Sequence, residues 1–423
     1  MLLKKNQSII VALLLVLISL PWLSLFNSNF LIGTLDPDSD QYLQFAGTIA
    51  RRSLPLVTPD AYTLSGEIIR TPGYPLFLTA AIYLEKLGLP LGQSILICSS
   101  LLWVLVLLSA LYYFRKSVSV PKTLIAFSLG CIVSAPFIKI IVTEWTVFVG
   151  LCAYFTALTS VFKRGSYLNT GVLGLLTAAL ALVRPDYLLL LPLSVFVVFL
   201  SGRKRPHYFM SLLMGITPLL VWLNIQSMII GRYTLAPVEG YIYAAISPMG
   251  PGEFADADVD LSNFAAAMKG KLQALDITDL LTIPFLAPES SMEKVIGNLQ
   301  QAENFRANNE IPWLEFNETL FRYSKNVLLE NLPAYFLFLL FGLATLIWCV
   351  PLIYILSKVS KSYSDRPRSA IYKAAACTLL VHIAHVTLVC MTNIIHTRYY
   401  FPTFAVALVF VLMAKFETDK DGG

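Results

Sequence analysis

Ten apolar stretches close to bilayer-crossing length run through the chain, at about 8–26, 92–114, 122–142, 145–162, 168–183, 187–200, 208–230, 334–357, 370–393 and 400–414. A helix needs roughly 20 apolar residues to cross the hydrocarbon core. Backbone groups in lipid must bond within their own segment, so such stretches fold as helices. The expected fold is therefore an all-α polytopic membrane protein with about ten transmembrane helices. Composition agrees, with 57% hydrophobic and 13% charged residues, against about 25% charged in soluble domains. A shorter apolar piece, Tyr74 to Leu84, lies between Arg70 and Glu85. It is too short to span and reads as an interfacial or re-entrant helix.

Basic residues test the count. With the N-terminus inside, Lys4, Lys5, Arg115, Lys116, Lys122, Lys163, Arg164, Arg203, Lys204, Arg205, Lys358, Lys361, Arg366, Arg368, Lys373, Lys415 and Lys420 all fall in cytosolic segments. Positive charge is concentrated on the cytosolic side of membrane proteins. If 74–84 spanned, every later loop would invert and the basic loops would face outward. The net charge of +5 is explained by this asymmetry and is no sign of nucleic-acid binding. The apolar run after Lys4-Lys5 ends in Pro21-Trp22 and Phe26-Asn27 rather than in small residues, so it reads as an uncleaved signal anchor. The six cysteines all lie in apolar stretches, which predicts neither a disulfide framework nor a thiolate metal site.

Three regions follow. Residues 1–230 form an N-terminal membrane module whose first outer loop, 27–91, carries acidic residues. Residues 231–333 hold 14 acidic and 7 basic residues. With amphipathic patches at Leu261–Leu275 and Trp313–Leu329, they read as a mostly helical outer, periplasmic segment. Residues 334–423 return to the membrane. There is no internal repeat, and the tail from Asp419 reads as disordered.

This topology gathers one set of charges on the outer face: Asp36, Asp38, Asp40, Arg70, Glu144, Arg184, Asp186 and Arg398. Ionisable groups at membrane depth are costly, so a retained set is a functional hypothesis. The string from Asp36 to Ala46 places three carboxylates at alternate positions before an amphipathic helix that Ser39 or Asp40 can cap. Carboxylates this close raise one another's pKa unless a cation neutralises them, which suits a general base beside a metal or an arginine. The string Arg70-Thr71-Pro72-Gly73-Tyr74-Pro75 sets a rigid turn ahead of the short apolar helix. His382 and His385, one helical turn apart, read as a packed, hydrogen-bonded pair. His396, beside Arg398, is the better supporting residue for a site. Asp256, Asp258 and Asp260 lack the glycine and later glutamate of a calcium loop and read as a solvated acidic face.

Asp38-Ser39 with Tyr42 and Ala46, then Arg70 through Leu78, resembles the N-terminal half of the GT-C membrane glycosyltransferases. The branch with the protein O-mannosyltransferases and the lipid A aminoarabinose transferase is the nearest in pattern. Thr143-Glu144-Trp145 is similar to that family's second acidic position, and Leu182-Val183-Arg184-Pro185 to its basic turn. Arg398-Tyr399-Tyr400-Phe401-Pro402 resembles its late Arg-Tyr element. The likeness covers about residues 1–200 and the last helix pair, and leaves 231–333 unmatched.

The resemblance implies transfer of a sugar from a polyprenyl-phosphate donor to a cell-envelope acceptor (glycan, lipid or protein). The reaction would run on the outer face of a bacterial inner membrane, with both termini cytosolic. Asp38, Asp40 and Glu144 would be catalytic, with Asp38 the base for the acceptor hydroxyl. Arg70, Arg184, Arg398 and Tyr399 would face the donor phosphate, where charge builds as it leaves. Asp40 and Glu144 would hold a divalent metal or orient these groups; the family divides on metal dependence. Asp36 and Asp40 are extra acids beside Asp38, so the base is Asp38 or one of these neighbours. Arg70 stands where some relatives carry lysine. The reading from another class is a transporter or flippase for a lipid-linked sugar, which would place charges at mid-membrane depth and often show two related halves.

Overall fold

The computed structural model describes residues 37–52, 71–134, 143–163, 165–200, 206–231, 233–236, 259–268, 297–298, 301–302, 304–330, 332–362, 369–392 and 397–421. Among these the regular structure is helical, with no strand. The signal-anchor stretch, Asp36 and Arg70 lie outside them, as do His396, Asp256 and Asp258.

The chain forms two compact units: residues 1–235, 349–382 and 401–423 make one, and 236–348 with 383–400 make the other. In the first, α1 (Pro37–Arg52) and α2 (Gly73–Lys86) precede α3 (Leu91–Phe114), α4 (Val120–Ser134), α5 (Glu144–Lys163) and α6 (Tyr167–Val183). A 3-10 turn (Pro185–Leu189) then leads into α7 (Leu190–Leu200) and α8 (Pro206–Ile230). The second unit contains α9 (Val259–Met268), α10 (Trp313–Glu330) and α11 (Leu332–Ala344). The last helices are α12 (Cys349–Lys361), α13 (Ala370–Thr392) and α14 (Thr397–Asp421).

Six described helices are long and apolar enough to cross a membrane: Leu91–Phe114, Glu144–Lys163, Pro206–Met228, Gly342–Lys361, Ala370–Met391 and Tyr400–Thr418. Three expected spans are shorter apolar helices, Val120–Ser134, Tyr167–Val183 and Pro185–Phe199. For the last two the reason is local, since Pro185 breaks the apolar run between them; residues 135–142 of the first lie outside the described ones. The stretch expected at 334–357 is divided by a 3-10 turn at Thr345–Trp348, and the span it supplies runs later, to Lys361. The protein is thus a multi-pass α-helical membrane protein, and its apolar helices make the bilayer its partner.

The first unit's core is aromatic. The Trp103 ring lies 5.5 Å from Phe148 and 5.9 Å from Trp145, and Phe410 of α14 packs 5.7 Å from Phe155. Helices α6 and α8 cross closely where glycines of both helices meet the other's backbone. A Cβ on Gly215 would collide with the Gly171 carbonyl, and one on Gly174 with that of Leu212. Without a hydrophobic force between helices in lipid, such close backbone approach holds helices together. The outward faces are apolar, as on α3, where Leu101, Val104, Leu105, Leu108 and Tyr112 are exposed. In the second unit, Phe264 packs edge-on against Phe316 and Tyr323, joining α9 to α10 around a small aromatic core. All six cysteines are free thiols.

Candidate functional site

Four of the five motif pieces fall in the first unit, and their described residues lie on its helices or at the ends of them. Two of them meet at the start of α5. Glu144 is the first residue of that helix, where a carboxylate is favoured by the helix dipole. Arg184 follows α6 directly, with φ −147° and ψ 125°. The proline after it excludes the helical region at this position, so the chain leaves α6 extended and the guanidinium swings towards α5.

There the fork is divided between two acids. Nη1 donates to Glu144 Oε1 at 3.2 Å. Nε and Nη2 donate to Asp186 Oδ1 and Oδ2 at 3.2 and 2.9 Å. The side chain of Glu144 is 2% exposed, that of Arg184 12% and that of Asp186 17%. Charges this deeply desolvated persist only when paired and hydrogen-bonded. Two carboxylates share the one guanidinium.

The Thr71–Tyr74 turn packs on the end of α6 beside this trio. Thr71 Oγ1 donates to the Val183 carbonyl at 3.2 Å, satisfying an acceptor that the end of α6 leaves open. Gly73 sits against the same helix end, where an added Cβ would lie 2.6 Å from Leu182 C and O and Val183 N. Only glycine permits that approach. Tyr74 is therefore pressed inward. Its ring meets Tyr42 of α1 edge-on at 5.0 Å and stacks on Phe77 at 5.9 Å. Burial holds the Tyr74 phenol well above its ordinary pKa, and Tyr42 and Glu144 act in the same direction. It stays a neutral hydroxyl donor throughout the physiological range. Helix α1 is tied to α2 again where the Tyr83 hydroxyl donates to the Ala50 carbonyl at 3.4 Å.

The remaining predicted residues fall elsewhere. Asp38 and Asp40 occupy the first turn of α1, the helix that carries Tyr42, but their side chains lie outside the described ones. Arg398 and Tyr399 begin α14 in the second unit, and their side chains lie outside the described ones as well. Among the described residues no group of three or more His, Cys, Asp or Glu is placed to hold a metal ion. His382 is buried in α13, its Nδ1 2.8 Å from Thr403 Oγ1 and its ring beside Phe404. His385 is buried one turn on.

Sequence reasoning named Asp186 among the charges but gave it no role, and the structure makes it the second holder of Arg184. The Arg-Pro-Asp spacing carried that signal, since a proline-fixed turn can fold residue i+2 back on residue i. Comparison with protein-family models, with curated proteins and with solved structures gives no match.

Proposed function

We propose that this protein is a membrane glycosyltransferase that takes a sugar from a polyprenyl-phosphate donor and passes it to a cell-envelope acceptor. The observation that carries this reading is the buried Glu144–Arg184–Asp186 trio at one end of the membrane helices, flanked by the Thr71–Tyr74 turn and neighbouring the helix of Asp38 and Asp40. In this reading Asp38 takes the proton from the acceptor hydroxyl. The leaving group is a phosphate, a weak base that needs no general acid. Its growing charge is met by Arg70. Arg184, with its fork already committed to two carboxylates, acts as a positioning residue. It holds Glu144, which together with Asp40 orients the acidic helix or a divalent metal. The site faces outward from the inner membrane, with both termini and the basic loops in the cytosol.

The test uses purified protein in vesicles with a polyprenyl-phosphate sugar and envelope acceptors. Transfer releases free polyprenyl phosphate and labels the acceptor. A flippase would move the intact donor between leaflets without releasing polyprenyl phosphate, and that outcome would replace the transferase reading.

A further inference from the structure

At the far end of α5 from Glu144, the same unit bears an open cavity of about 190 Å³. Its wall comes from the C-terminal end of α3, the C-terminal turn of α5, the N-terminus of α13 and the C-terminal part of α14. Each of these helices is long and apolar enough to cross the bilayer. The α5 helix of 20 residues rises about 30 Å, the thickness of the hydrocarbon core. The cavity therefore lies at the opposite membrane surface from the trio.

Its polar groups are of both signs. Lys163 Nζ donates to Ser117 Oγ at 2.8 Å. Ser369 Oγ donates to Glu417 Oε2, and also accepts from the backbone N–H of Tyr372 at 3.0 Å. Tyr113 and Ile371 supply apolar wall. Two further lysines lie over rings next in sequence to Lys163 and Glu417: Lys373 over Phe162 at 5.7 Å and Lys122 over Phe416 at 5.6 Å. From this end an apolar stripe runs back along α3, through exposed Tyr112, Leu108, Leu105, Val104 and Leu101.

We infer that this cavity binds the headgroup of a zwitterionic phospholipid bearing a primary ammonium, of the phosphatidylethanolamine class. The phosphate lies at Lys163 and Ser117, with Lys373 and Lys122 adding positive potential. The ammonium lies at Glu417 and Ser369, and the acyl chains follow the α3 stripe. A phosphatidylglycerol headgroup carries the same phosphate but offers Glu417 neutral hydroxyls in place of an ammonium. A quaternary ammonium offers that carboxylate no N–H donor. The site is independent of the transferase reading.

The experiment is titration of the full-length protein in detergent with phosphatidylethanolamine, phosphatidylglycerol and phosphatidylcholine of matched chains, read by native mass spectrometry. Phosphatidylethanolamine should bind roughly tenfold more tightly than either competitor, the value of one charge-assisted hydrogen bond. Glu417→Gln should erase the preference over phosphatidylcholine and leave phosphatidylglycerol binding as it was. Lys163→Ala should weaken all three, and Lys163→Arg should restore them. Equal binding of the three lipids to wild-type protein would overturn the proposal without recourse to any variant. So would a preference unchanged in folded Glu417→Gln. Inorganic phosphate and soluble glycerophosphoethanolamine form the remaining arm: if either displaces the lipid at equal concentration, the site is for a free phosphate compound and not for a lipid.

Discussion

The two ends of α5 present opposite solutions to placing charge at the end of a membrane helix. At its start, Glu144 is almost wholly desolvated, and its charge is balanced by a guanidinium that a second carboxylate also grips. At its finish, Lys163 is exposed, rests on a serine hydroxyl and borders a cavity. The first arrangement is rigid because burial makes each lost partner expensive. The second is adaptable because water and lipid headgroups can exchange around it. Both charges suit the helix dipole, acid at the N-terminus and base at the C-terminus. What differs is what is packed above them. The turn around Gly73 packs on one end, while four helix termini leave the other open.

The sharpest way to break this comparison is all or none. In a background without native cysteines, Leu87→Cys, at a residue 80% exposed, should react with an impermeant maleimide added outside cells. Lys116→Cys should not react until the membrane is opened. Reaction of both from outside would put the two ends on one side and end the topology.

Next is Asp38→Asn, which removes a proton acceptor and little volume. Loss of a positioned general base costs about 100-fold to 10,000-fold in rate, so transfer should disappear while membrane insertion and melting temperature hold. Asp36→Asn should be mild and Asp40→Asn intermediate. Full activity in Asp38→Asn would move the base to one of its neighbours, and full activity in all three would favour the flippase.

The rigid end makes a stability prediction. Arg184→Ala leaves Glu144 buried without its cation, a change that costs about 3–5 kcal/mol in comparable pairs. Adding Glu144→Gln should recover part of the loss, because the more deeply buried of the two carboxylate charges is then gone, while Asp186, 17% exposed, still lacks its cation. Thermal unfolding in detergent of the two single variants and the double completes the cycle. Additive losses would mean that the pair is not coupled.

A smaller effect is expected from Gly73→Ala. The new methyl would lie 2.6 Å from backbone atoms of Leu182 and Val183, and backbone cannot rotate away as a side chain can. Overpacking of this kind costs about 1–3 kcal/mol. The melting temperature should fall, and transfer should fall with it as Tyr74 is displaced. An unchanged melting temperature would show that the turn is looser than its geometry implies.

Much of this could be read from the chain before folding. Hydropathy marks where helices run because a membrane rewards apolar length locally, and the described helices fall on the expected stretches apart from their ends. The end of α6 was also legible, since Pro185 acts on its immediate neighbour. The short apolar piece after Arg70-Thr71-Pro72 forms the expected separate helix, Gly73–Lys86. Pairings across sequence were not legible. Thr71 meets Val183 across 112 residues, and Glu144 meets Arg184 across 40. Periodicity within any one helix carries no information about such distances. Arg184 looked like a phosphate ligand because charge type and position are all a sequence shows, and only packing reveals that two carboxylates already share its fork. The cavity between Lys163 and Glu417 was hidden for the same reason: its walls belong to four helices, and a void is a property of how surfaces fail to meet, which no single segment contains.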